Sequence, residues 1–182
     1  MKILAISDTH GKLNMVRDVL GKLSGIDLIA HAGDHFNDVK ALEREFNIPC
    51  VGVCGNCDSS GPSLEVIETP CGKILLVHGH KEHVNYDLSK LRYRALENSC
   101  RAIIYGHTHV AHIEEMDDMY FINPGSLPQP RDGSGGSFGI IRATPERLDA
   151  SIVYYNTVMG LNNKKSGNAG FIKGILNYCD RF

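Results

Sequence analysis

The sequence predicts an α/β protein with two β-sheets flanked by helices, and three observations carry that reading. Apolar runs of β character alternate with helical patterns from the first residues onward, which is the grammar of a parallel sheet. A hairpin signal, "TPCG" between two strand-like runs, then breaks the alternation. The later segments have strand character with turn residues between them, a style more antiparallel than crossover.

In order, "KILAIS" reads as a strand and "LNMVRDVLGKL" as a helix with Leu13, Val16, Val19, Leu20 and Leu23 on one face. "DLIAHAG" follows as a strand and "NDVKALEREF" as a helix with Asn37 or Asp38 near its N-cap. "CVGVCG" is a third strand, and "SLEVIE" with "KILLVHG" forms the hairpin. A helix over "DLSKLRYRALENS" leads into the strand "RAIIYG". The strand-like segments "HIEEMDDMYFINPG", "GSFGIIRAT" and "LDASIVYYN" complete this part of the chain. These elements define one domain over residues 1–156. Residues 157–182 are polar and glycine-bearing at "NNKKSGNAG", then modestly amphipathic at "FIKGILNYCDRF", and are expected to pack on the same domain as a C-terminal extension.

A chain of 182 residues with 42% hydrophobic residues can bury one good core. A formal charge of −2 gives no basic surplus to hold a phosphate backbone, so nucleic acid is not indicated. "MKILAISD" is interrupted by Asp8 and is too short for a signal peptide, and no stretch is long enough to span a bilayer. Cys50, Cys54, Cys57, Cys71, Cys100 and Cys179 are therefore expected to be reduced thiols in a cytoplasmic protein.

The chemistry gathers at strand ends: "SDTH", "AGDH", "CGNCD", "VHGH" and "YGHTH" each follow an apolar run. In open α/β sheets the loops at carboxyl ends converge on a ligand. Asp8, His10, Asp34, Asn56, His78, His107 and His109 together offer two carboxylates, four imidazoles and an amide oxygen. That set is too rich for one metal ion and about right for two that share a carboxylate and keep open positions. Two divalent ions against two carboxylates would attract an anion.

The order D-x-H, G-D, G-N-x-D, H, G-H-x-H resembles the calcineurin-like metallophosphoesterases, and "GNCD", "HGH" and "INPGS" look like their small bacterial and archaeal phosphodiesterase branch. The resemblance implies a four-layer αββα sandwich of two mixed sheets flanked by helices. It implies that Asp8, His10, Asp34 and His109 hold one ion and Asp34, Asn56, His78 and His107 the other, with Asp34 bridging. It also implies hydrolysis of small phosphate esters by a metal-bound hydroxide in line with the leaving oxygen, with manganese first among the metals and iron, zinc, nickel or cobalt as alternatives. Cys57 stands where many members carry histidine, and a thiol is a poorer proton donor to a leaving group. Asp58 is expected to orient a ligand histidine by accepting its distal N–H. The resemblance also allows a homo-oligomer.

Blander readings compete at several positions. Cys54 and Cys57 spell C-x-x-C, but no second pair completes a zinc ribbon, and the metal motif explains them better than redox chemistry. His31 reads as a hydrogen-bonded core or supporting histidine, and His83 and His112 as solvated. His80, His35 and Arg131 are possible substrate contacts only, and "INPGS" is either a plain turn or a segment near the site. Among functions, a non-catalytic scaffold resembling the retromer coat subunit of this fold is the rival, followed by a phosphomonoesterase or nucleotide pyrophosphatase.

Overall fold

The structure, a computed structural model, describes residues 1–161. Residues 162–182, with most of the expected extension and Cys179, lie outside the described residues. In chain order the elements are β1 (Lys2–Ile6), α1 (Asn14–Leu20), β2 (Leu28–His31), α2 (Asn37–Phe46), β3 (Cys50–Gly52), β4 (Leu64–Thr69) and β5 (Gly72–Val77). Then come α3 (Ser89–Glu97), β6 (Cys100–Ile104), β7 (Ala111–Met116), β8 (Met119–Pro124), β9 (Ser137–Ala143), β10 (Leu148–Tyr154) and the short α4 (Tyr155–Val158).

Two mixed five-stranded sheets result, ordered β10-β9-β1-β2-β3 and β4-β5-β6-β8-β7. In the first, β1, β2 and β3 run parallel, and the β9–β10 hairpin adds antiparallel to the outer edge of β1. In the second, β5, β6 and β8 are parallel, with β4 and β7 antiparallel at the two edges.

The alternation of side chains along each strand builds three apolar layers. Ile3, Ala5, Ala30 and Ala32 meet Ile74, Leu76, Ala102 and Ile104 between the sheets. The opposite face of the first sheet, with Leu4, Ile6 and Ile29, receives Val16, Val19 and Leu20 of α1 and Leu42 of α2. Leu75, Val77, Ile103 and Phe121 of the second sheet receive Leu91 and Ala95 of α3. Both faces of β1 are apolar, so side-chain volume fixes its register: a one-residue slip would exchange Ala5 with Leu4 or Ile6 in a close-packed seam. The expected αββα layering is what the packing produces.

Local differences from the sequence expectation have simple causes. α1 stops at Leu20 because Gly21 forms its C-cap, although Leu23 still packs on the same core. α2 begins at Asn37 without a side-chain cap, and Asp38 turns inward instead. "HIEEMDDMYFINPG" folds as the two strands β7 and β8, reversing at Asp117 and Asp118, whose φ values are 50° and 60°. Two successive positive φ angles are the signature of a tight hairpin turn, and aspartate tolerates them better than most residues.

Candidate metal centre

The five sequence clusters meet at one end of the sandwich, where loops after β1, β2 and β3 face loops after β5 and β6. The backbone there is unusual. Asp8, His10, Asp34, His35, His107 and His109 all have positive φ, from 47° to 92°. Each such non-glycine residue costs on the order of 1 kcal/mol, so cross-loop hydrogen bonds must hold it. Asp8 N–H donates to Gly33 O at 3.0 Å and His10 N–H to Asp34 O at 3.2 Å. His107 N–H donates to Asp8 Oδ2 at 3.1 Å, and Ser126 Oγ to Asp8 O at 2.9 Å. Asn123 Nδ2 donates to Gly106 O and to Thr108 Oγ1, both at 3.0 Å. Thus "INPGS" supports the site from the side.

Around Asp8, His10, Asp34 and His109, one ligand atom from each residue falls within 4.8 Å of all the others. His109 Nε2 is 3.3 Å from Asp8 Oδ1 and 3.4 Å from His10 Nε2, which is 3.6 Å from Asp34 Oδ2. A second group converges on the other Asp34 oxygen. His78 Nε2 lies 3.4 Å from Asp34 Oδ1 and 3.2 Å from Asn56 Oδ1, and His107 Nδ1 lies 3.0 Å from the same Asn56 oxygen. All seven residues singled out from the sequence as ligand candidates are therefore together, in two groups that share Asp34.

These contacts look like ion pairs by distance, but proton placement says otherwise. His78 Nδ1 donates to Ala32 O at 2.7 Å, and burial holds its pKa down to about 4. Its only ring proton is thus on Nδ1, and Nε2 turns a bare lone pair toward two oxygens. His109 repeats the pattern, with Nδ1 donating to Gln129 O at 2.7 Å and burial lowering its pKa. Asp8 Oδ1, opposite His109 Nε2, is buried with no hydrogen-bond donor. Lone pairs converging on lone pairs call for a cation, and oxygen with imidazole donors suits a divalent one.

Electrostatics agree. Burial, reinforced by the charge of Asp34, pushes the Asp8 carboxyl up to about 7. The His107 N–H and the charge of His10 offset that burial only in part. Burial raises the Asp34 carboxyl, but the Cys57 N–H and thiol that donate to it pull the other way and leave Asp34 below the usual carboxylate range. Cys57 donates its N–H to Asp34 Oδ1 at 3.0 Å, and its Sγ is 3.5 Å from Oδ2. Burial and the nearby carboxylates keep that thiol protonated.

Asp58 corrects one expectation. Its carboxylate accepts the backbone N–H groups of His35, Phe36 and Gly55 at 2.7–3.2 Å, and no histidine ring. It ties the Asn56 loop to the Asp34 loop, while the distal nitrogens of His78 and His109 are served by the carbonyls of Ala32 and Gln129. Glycine is required between these loops, because a Cβ at Gly55 would overlap the Asp34 carboxylate. His31 is fully buried, as expected of a core histidine. His80 sits with its ring 5.2 Å from that of His78, and its Nδ1 is buried with no hydrogen-bond partner. His112 faces Tyr105 and Glu114, away from the cluster. Arg131 is exposed and joins His109 through its backbone, and its charge adds to burial, the larger cause, in lowering the pKa of both His107 and His109. Sequence reasoning missed Asn85, whose amide meets His107, because nothing in "KEHVNYD" marks it as facing the site.

A family model described as the calcineurin-like phosphoesterase superfamily domain matches residues 1–145. A probable metallophosphoesterase of Bacillus subtilis, YsnB, is 32% identical over 171 residues, covering 90% of this chain and 98% of its own. Phosphodiesterase YfcE of Escherichia coli is 29% identical over 167 residues, covering 78% of this chain and 87% of its own. The crystal structure of a predicted phosphoesterase from Streptococcus pneumoniae superposes with a TM-score of 0.72 at 27% identity, over 85% of this chain and 90% of that one.

Proposed function

The chain belongs to the calcineurin-like phosphoesterase superfamily and is a metal-dependent phosphoesterase; from that premise we propose that it is a phosphodiesterase with a dinuclear centre, acting on small phosphate esters. The observation that carries this reading is the pair of lone-pair clusters sharing Asp34. Asp8, His10, Asp34 and His109 would hold one divalent ion, and Asp34, Asn56, His78 and His107 the other. When bound, two such ions would supply positive charge for the phosphoryl oxygens and would lower the pKa of a bound water.

The protein's own part is positioning. Ala32 and Gln129 fix the His78 and His109 tautomers so that Nε2 of each stays a lone pair. Cys57 orients Asp34 through two contacts, so its thiol acts on the shared carboxylate more than on a leaving group. With a weak proton donor at that position, esters with good leaving groups are the favoured substrates. Manganese is the leading metal, with iron, zinc, nickel and cobalt compatible with the same donors. A cytoplasmic setting fits the free state of the five described cysteines. No helix among the described residues is long and apolar enough to cross a membrane.

The scaffold reading is disfavoured because no donor of either cluster is missing. The phosphodiester reading is supported by the name of the E. coli relative. The test is turnover of bis-p-nitrophenyl phosphate with added Mn²⁺, beside a matching monoester. Asp34→Asn and His78→Ala should each lower diester hydrolysis by roughly a hundredfold or more. Near-normal turnover in either purified variant overturns the assignment, and a preference for the monoester overturns the substrate class.

A further inference from the structure

Arg131 stands at the edge of the metal centre, on the segment between β8 and β9 that is fixed to the centre at three points. Ser126 Oγ donates to Asp8 O at 2.9 Å, Gln129 O lies 2.7 Å from His109 Nδ1, and Arg131 N–H donates to His109 O at 3.2 Å. Gln129 N–H closes the turn on Ser126 Oγ at 3.0 Å, and Pro128 and Pro130 each fix a backbone angle. The loops carrying Asp8 and His109 thus set where Arg131 leaves the backbone.

Its side chain is not tied down in the same way. The exposed Arg17 and Arg147 pair with Glu45 and Asp149, each at 2.8 Å. Among the described residues no carboxylate pairs with the guanidinium of Arg131. Its neighbour Asp132 turns to Ser134 N–H instead, at 3.0 Å. Space beside it is open, since a Cβ on Gly133 would meet nothing within 4 Å. The charge of Arg131 is nonetheless felt at His107 and His109, where it adds to burial in lowering both pKa values. A guanidinium next to a centre for divalent ions adds repulsion, and an anion spanning both offsets it.

We propose that Arg131 is a specificity-determining residue that takes a second phosphate, carried on one ester arm of the substrate, while the reacting phosphate lies on the metal centre. The planar fork of N–H donors matches phosphate oxygens in pairs. The inference rests on the dinuclear reading above and narrows its substrates from small phosphate esters to diesters bearing a further phosphate.

The experiment is calorimetric titration of manganese-loaded protein with thymidine 5′-phosphate and with thymidine 3′,5′-bisphosphate, for the wild type, Arg131→Gln and Arg131→Lys. Manganese per chain is measured on each sample, and bis-p-nitrophenyl phosphate turnover on the wild type. The wild type should bind the bisphosphate roughly tenfold more tightly than the monophosphate. Arg131→Gln should cut that preference to about twofold or less, with Arg131→Lys between, because an ammonium is a point charge without the fork. Added salt should shrink the wild-type preference, as expected of an exposed cation. A bisphosphate that binds no more tightly than the monophosphate, or the same preference in wild type and Arg131→Gln, overturns the role of Arg131 and leaves the phosphodiesterase reading standing. Loss of manganese from Arg131→Gln overturns it too, by making the residue a support of the metal loop. A wild type that holds fewer than two manganese ions or fails to hydrolyse the diester overturns the underlying reading instead.

Discussion

Thr9 Oγ1 donates to Asp38 Oδ2 across 2.6 Å, and this bond ties the loop bearing Asp8 and His10 to the helix that follows Asp34. The same carboxylate accepts Gly11 N–H at 3.1 Å and His35 Nδ1 at 2.8 Å. Thr9 Oγ1 also lies 2.8 Å from His31 Nε2, and His31 Nδ1 accepts Gly33 N–H at 3.1 Å. Two loops of the centre therefore share one buried network with Asp38 at its hub.

Asp38→Ala should leave the Gly11 N–H and the Thr9 hydroxyl without their acceptor inside the protein. Such losses cost roughly 2–4 kcal/mol in all. The urea midpoint should fall accordingly, and the first ion should bind more weakly because Asp8 and His10 lose their brace. Equal midpoints and equal first-ion affinity would show that the network does not set loop geometry.

Asp8→Asn should stabilise the metal-free protein while it destroys metal binding. The Asp8 carboxyl is raised from 3.8 to about 7 in the fold, so the folded state holds its proton more tightly. Its contribution to stability is full below 3.8 and is lost as pH rises through about 7. At pH 8, with chelator, the variant should melt several degrees above the wild type. At pH 5 the gap should shrink, and scanning calorimetry at the two pH values checks both statements.

His31 should dominate part of the acid limb. Burial lowers its pKa from 6.5 to about 4, so its contribution is present above 6.5 and lost as pH falls through about 4. A shift of this size corresponds to roughly 3 kcal/mol. His31→Gln keeps hydrogen-bonding capacity but cannot titrate. Its urea midpoint should therefore fall less than that of the wild type between pH 7 and 4.5; equal losses would remove His31 from the acid response.

Gly55→Ala should empty the centre without unfolding the sandwich. The added methyl would overlap the Asp34 carboxylate, which both clusters use. Metal content per chain and diester turnover should fall together by at least tenfold, while the far-ultraviolet circular dichroism stays that of the wild type.

The seven clustered donors were legible because each follows an apolar run, and strand polarity delivers such positions to one edge. The two-sheet layering followed from the switch between crossover and hairpin grammar. What stayed hidden was the supporting layer. The carbonyls of Ala32 and Gln129 carry no side-chain signal, and the Asp58 carboxylate binds backbone N–H groups that any sequence possesses. The reversal at Asp117 and Asp118 was absorbed into one long strand-like segment, since two aspartates mark a turn less sharply than Asn-Gly or Asp-Gly.

The donors come from both layers of the sandwich: Asp8, His10, Asp34 and Asn56 follow strands of the first sheet, and His78, His107 and His109 follow strands of the second. Between the sheets the packing is mainly aliphatic, and its attraction has no preferred direction, so shape alone fixes the seam there. The polar end adds directional bonds across that seam, from His107 N–H to Asp8 Oδ2 and from His78 Nδ1 to Ala32 O, like a rivet through two plates. Removing ions from it should cost more than chemistry: the alignment of the whole seam would loosen from that end inward.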